Sequence, residues 1–213
     1  MASMNESLVR EYFEQLGFLV QQPCKYQVIA RAKRPAEDVD FLVWRPGAAT
    51  VAALPPPGVW TGAELRRVPR AAVSVRGWHT DRFSAGLIES SPDLCRFVQP
   101  EALRFAEREM GPGPIAHILV APALPTDRGG RERALARLRA AGVEGVVLFR
   151  SLLTELAADV DANANYEKSD VLQLLRILKA HHLLREPQLE LFASPRRRSS
   201  VRRAAKTSET PPA

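Results

Sequence analysis

Cysteine and histidine are scarce in this chain, with two cysteines and four histidines in 213 residues. Cys24 and Cys95 lie far apart and without metal-ligand spacing, so a zinc module is excluded and buried free thiols are expected. His181 and His182 are adjacent, and neighbouring residues do not share a helix face, which argues against a shared metal site. No apolar run approaches the roughly 20 residues that a membrane-spanning helix needs. The opening "MASMNESLVR" has no basic segment followed by an apolar one, so no secretory signal is expected. Together these absences lead us to expect a soluble, cytoplasmic protein with no membrane partner. A phosphate loop is missing too: the "GPGP" at 111–114 is not followed by Lys and Ser or Thr. No G-x-S-x-G elbow and no internal repeat occurs.

What is present is an ordinary globular composition, 46% apolar, in a chain long enough for one sizeable domain and a tail. The net charge of +6 is unevenly placed. From Ser194 onward, six basic residues stand against the single acid Glu209, a net +5 that leaves only +1 for residues 1–193. That segment, "SPRRRSSVRRAAKTSETPPA", has almost no large apolar residue and is expected to be disordered. Its Arg196, Arg197, Arg198, Arg202 and Arg203, mixed with serines, suit salt-dependent attraction to a phosphate backbone. A solvated extension without function is the plainer alternative. An anionic membrane suits it less, because the segment lacks the apolar face of an interfacial helix.

Along the body, "NESLVREYFEQLGF" predicts a helix capped by Asn5 and stopped by Gly17. "FLVQQP" and "YQVIA" are short strand candidates. "DVDFLVWRP" is a stronger one, with Val39, Phe41 and Val43 facing one way and Asp38, Asp40, Leu42 and Trp44 the other. Residues 46–58 read as a Pro- and Gly-rich loop, and "AAVSVRGW" as the next strand. A helix is predicted from Pro100 to Met110. Then follow a strand in "PIAHILVAPALP", a helix in "GRERALARLRAAG", a strand in "VEGVVLFR", a helix with Ser151 as cap, and a last helix starting near Ser169. Continuous apolar strands separated by helices imply parallel pairing; the earlier close-set strands imply an antiparallel meander. The expected architecture is an α/β sandwich around a mixed sheet. A single domain is expected over 5–192, with core 5–150 and C-terminal helices 151–185, before a basic tail at 193–213.

Charges inside these strands need an explanation, because a buried acid costs free energy unless something offsets its desolvation. Asp38 and Asp40 stand two apart and project on the same side. They can lie at a solvated sheet end, or they can hold a divalent cation. Ser74 and Arg76 have the same alternate spacing on the next strand. Trp78, His79, Arg82 and Phe83 follow closely and mix bases with aromatics, a combination that suits phosphate contact and base stacking. His79 also has the ordinary pKa range of a general base, although a Trp anchoring the sheet end beside a surface His is the plainer reading.

This order of elements, an opening helix, a strand with an Asp, a strand with a spaced pair, then a helix and a strand, resembles the PD-(D/E)XK nuclease superfamily, the restriction-endonuclease-like fold. The likeness covers roughly residues 5–150. It implies a three-layer sandwich with a mixed central sheet, DNA as partner, and magnesium-dependent phosphodiester hydrolysis. Asp40 takes the place of the family's Asp, and Ser74–Val75–Arg76 the place of its Glu/Asp–x–Lys. Glu6, in the first helix before Gly17–Phe18, matches the early Glu of some branches. The implied catalytic set is Asp40, Arg76 and Glu6, with Asp40 and Glu6 as Mg²⁺ ligands. Hard Mg²⁺ prefers carboxylate oxygens, and here Ser74 stands where an acid belongs. Arg76 keeps the positive charge of the Lys but as a planar fork that does not readily lose a proton. Glu64 and Asp81 are the acids near enough in sequence to compensate. The resemblance therefore implies a nucleic-acid-binding protein that is either a magnesium endonuclease with a degenerate site or a non-cleaving relative. The alternative class is an inactive interaction module, pairing with itself or another protein through Leu172, Leu175, Ile177 and Leu178 of the last helix. A third reading is an unrelated α/β protein.

Overall fold

The computed structural model describes residues 4–23, 38–47, 53–77 and 82–184. The opening helix α1 spans Met4–Gln15, and its apolar stripe buries Val9, Tyr12 and Phe13. Asn5 does not cap it: the helix begins a residue earlier, and the Asn5 side chain instead donates to the Gly77 carbonyl at 3.4 Å. Two short strands follow, β1 (Leu19–Gln21) and β2 (Phe41–Trp44). A second candidate strand, "YQVIA", falls outside the described residues, as does Cys24.

Within the segment read as loop, Gly58 and Val59 form a short strand, β3 (Gly58–Val59). One turn of helix, α2 (Gly62–Leu65), comes next, and then the longer strand β4 (Arg70–Val75). Helix α3 (Ala85–Ser90) leads into a 3-10 segment, Pro92–Val98, and into α4 (Pro100–Met110), with the bounds that its N-terminal proline predicts. The remaining order is β5 (Ala116–Ala121), α5 (Arg128–Ala140), β6 (Gly145–Leu148), α6 (Phe149–Asp159) and α7 (Asp170–Ala180). Ser169 caps α7, accepting from the Leu172 amide at 3.2 Å. Ser151 is not a cap, because α6 already starts at Phe149.

The six strands make one mixed sheet in the order β1-β2-β4-β5-β6-β3. β1, β2 and β4 pair antiparallel, as the meander predicts; β4, β5 and β6 run parallel, and β3 joins the far edge parallel to β6. Alternate strand residues feed two separate hydrophobic clusters. Phe41, Val43, Ala71, Val73, Ile118 and Val120 pack with α1, α6 and α7. Leu42, Ala72, Leu119, Ala121 and Val146 pack with α3, α4, α5 and the 3-10 segment. Helices thus cover both faces, compatible with a three-layer sandwich. The alternation breaks just before β2. Val39 joins Leu42's cluster instead of Phe41's, which corrects the simple two-residue pattern. The Asp40 amide still donates to the Val73 carbonyl at 3.0 Å, so the irregularity lies at the strand entrance, beside the charged residues.

Candidate functional site

Parallel strands β4 and β5 end together, Val75 level with Val120, and the Arg76 amide extends the ladder by donating to the Val120 carbonyl at 2.9 Å. Open α/β sheets place ligand sites at this carboxyl edge. Antiparallel register sets Asp40, one residue before β2, opposite Ser74. The two spaced pairs seen in the sequence are thereby brought together.

Asp40 Oδ2 accepts from the Val75 amide at 2.6 Å and from the Ser74 hydroxyl at 3.1 Å, with Arg76 NH1 at 3.4 Å. Ser74 is fully buried, whereas the Asp40 and Arg76 side chains keep 23% and 20% exposure, so the pair sits in a shallow mouth rather than the core. Burial pushes the Asp40 carboxyl above its usual range. The Val75 amide, the Arg76 charge and the Ser74 hydroxyl pull the other way and do not fully offset it, and Glu6 adds repulsion.

Glu6 is thus brought to the same edge, within electrostatic reach of Asp40. Its Oε2 accepts from Gln22 Nε2 at 3.0 Å, and Gln22 Oε1 accepts from Arg10 at 3.2 Å. Gly77 permits this approach of α1: a Cβ there would lie 1.8 Å from Asn5 Nδ2. Asp38 does not join Asp40. Its Oδ1 lies 3.3 Å from Arg96 Nε, and Arg96 also reaches Asp93 at 3.4 Å. Arg76 NH2 donates to the Asp93 carbonyl at 3.4 Å, so the 3-10 segment closes over one side of the site. Sequence spacing carried no signal for Arg96 or Asp93, because their role comes from a tertiary packing of an irregular segment. Cys95 lies near enough to Arg76 to feel its charge, yet burial raises its thiol pKa, which leaves it an unreactive core residue.

Of the two acids named as substitutes, Glu64 is engaged elsewhere. Glu64 Oε2 is taken up by the Thr61 amide at 2.8 Å and hydroxyl at 2.7 Å, bonds that also lower its pKa. Asp81 lies outside the described residues, as do Trp78, His79, Arg196, Arg197, Arg198, Arg202 and Arg203. Arg82 is described: it is exposed, bridges to Ala123 in parallel fashion and donates to Thr126 Oγ1 at 3.2 Å.

The donor set does not suit Mg²⁺, which binds through one or two carboxylates that remain open to it. The bonded oxygen of Asp40 already serves three donors, one of them a guanidinium, and the neighbouring family position is a hydroxyl that itself donates to Asp40. Among the described residues, no group of three or more His, Cys, Asp and Glu side chains could hold a metal ion. Nor, among them, is any helix long and apolar enough to cross a membrane. No family model, no curated protein and no solved structure matches this chain.

Proposed function

We propose that this chain binds nucleic acid on a restriction-endonuclease-like scaffold whose hydrolytic site is closed by its own arginine. The observation that carries the reading is the 3.4 Å contact between Arg76 NH1 and Asp40 Oδ2 at the carboxyl edge of the sheet. An aspartate on one strand and a cation on the next, beside an opening helix that brings a glutamate near, is the arrangement of a phosphodiesterase centre. Here the cation neutralises the acid instead of both acting on a phosphate. Helix, antiparallel meander, crossover helix and parallel strand occur in the order the resemblance requires, which supports the scaffold. The basic segment after Ser194 supplies long-range, sequence-independent attraction.

Titrating the full chain against a short fluorescein-labelled duplex, with anisotropy as readout, tests the binding. Saturable binding that weakens with salt, and weakens further when the chain is cut after residue 193, is expected. Absence of binding at low salt would overturn the reading. A second reading, an interaction module using α7, draws on the exposure of Leu174 and Ile177 at 52% and 43%. Of the four residues predicted for that surface, Leu172 is buried and Leu175 packs on the core, whereas Ile177 is exposed as predicted and is joined outward by Leu174. A chain that ignores nucleic acid but associates with itself, losing this on Leu174→Glu, would favour the module.

A further inference from the structure

Charge on the helices is polarised. Helix α5 carries five arginines and one acid, Glu132, whereas α1 carries Glu6, Glu11 and Glu14 against Arg10 alone. Three of the five arginines are engaged: Arg128 pairs with Glu132 at 2.9 Å, Arg137 with Glu89 at 2.6 Å, and Arg139 donates to the Pro57 carbonyl at 2.8 Å. Arg131 and Arg133 are exposed and make no ion pair among the described residues.

Their position links them to the site. β5 ends at Ala121, on the edge where Arg76 sits, and α5 begins seven residues later behind the Asp127 cap. The segment beginning at Arg82 is fixed to that connection: the Phe83 amide donates to the Ala123 carbonyl at 2.9 Å, and Arg82 reaches Thr126 at 3.2 Å. One edge of the molecule therefore presents Arg82 and then the first turns of α5.

We infer that Arg82, Arg131 and Arg133 form a phosphate-contacting edge through which the folded domain, independently of its tail, grips a nucleic-acid backbone. This rests on the nucleic-acid reading above and names the surface that performs it. Arginine suits the task because its fork bonds two phosphate oxygens at once. Contacts of this kind carry no base information, so affinity should depend on salt and hardly on sequence.

The test uses the full chain with its tail and the same labelled duplex, titrated over a range of NaCl concentrations. Each lost contact with duplex phosphate lowers the slope of log K against log salt by about 0.9. Arg131→Ala/Arg133→Ala should therefore bind more weakly, with the slope reduced by about 1.8. Arg108→Ala, an exposed arginine in the last turn of α4 at the opposite, amino end of the sheet, should leave both unchanged. Alanine favours the helix, and an unaltered Tm verifies that the fold is kept. Wild-type binding that the double variant reproduces in affinity and slope would overturn this surface and leave the nucleic-acid reading intact. Failure of the wild type to bind would remove both.

Discussion

Asp40 is held between opposed influences. Three donors favour its charge, and burial together with Glu6 disfavours it; burial prevails, so its pKa is raised above the ordinary 3.8. A carboxyl that binds its proton more readily when folded than when unfolded adds stability on protonation. That contribution is complete below the unfolded pKa and is lost as pH rises through the folded one. Asp40→Asn cannot titrate, so comparison with it isolates this group from other acids such as Glu14, whose pKa burial also raises. The wild-type Tm minus that of Asp40→Asn should become more favourable to the wild type between pH 7 and about pH 4. The opposite trend in thermal melts would mean that the ion pair with Arg76 prevails over desolvation. The coming together of Asp40, Ser74 and Arg76 was legible from alternate spacing on two neighbouring strands. The separation of Asp38 was not, because the strand loses its alternation at Val39, and Arg96 arrives from an irregular segment distant in the fold's layout.

At the scale of elements, close contacts decide what each position tolerates. β6 crosses Trp60 at Gly145, where a Cβ would lie 2.2 Å from the indole ring, and Trp60 is fixed by its Nε1 donating to the Pro56 carbonyl at 2.9 Å. Gly145→Ala should therefore destabilise the protein by about 1–3 kcal/mol through overpacking, measured as a lower urea midpoint. An unchanged midpoint would show that Trp60 moves aside freely. The longer elements were written in the sequence: α4, α5, β5 and α7 follow from apolar periodicity, an N-terminal proline or a capping serine. β3 and α2 were not, since two residues pairing with a distant strand and a single helical turn have no period to detect. Also invisible were the ties between elements. Glu155 of α6 accepts from the Tyr12 hydroxyl at 2.7 Å and the Gly62 amide at 2.9 Å, joining α1 and α2. Lys179 of α7 donates to the carbonyls of Ala157, Ala158 and Val160 at 2.8–3.2 Å, satisfying the end of α6.

The whole molecule divides its tasks between regions. One face, covered by α1, α6 and α7, is core and scaffold; the carboxyl edge between β4 and β5 gathers the charged groups; and α5 and the segment after Ser194 carry the excess of arginine. On the proposed reading, affinity for a polyanion comes from arginines at the rim and in the tail, while Arg76 pairs with the central aspartate at 3.4 Å. A supercoiled plasmid incubated with the full chain and Mg²⁺ or Mn²⁺, then run on one gel with and without prior removal of protein, tests both halves of that statement at once. Retarded plasmid that returns to the supercoiled position after deproteinisation is the result predicted. Nicked or linear plasmid formed by the wild type and not by Asp40→Ala would contradict it, since the arginine would then not have closed the site.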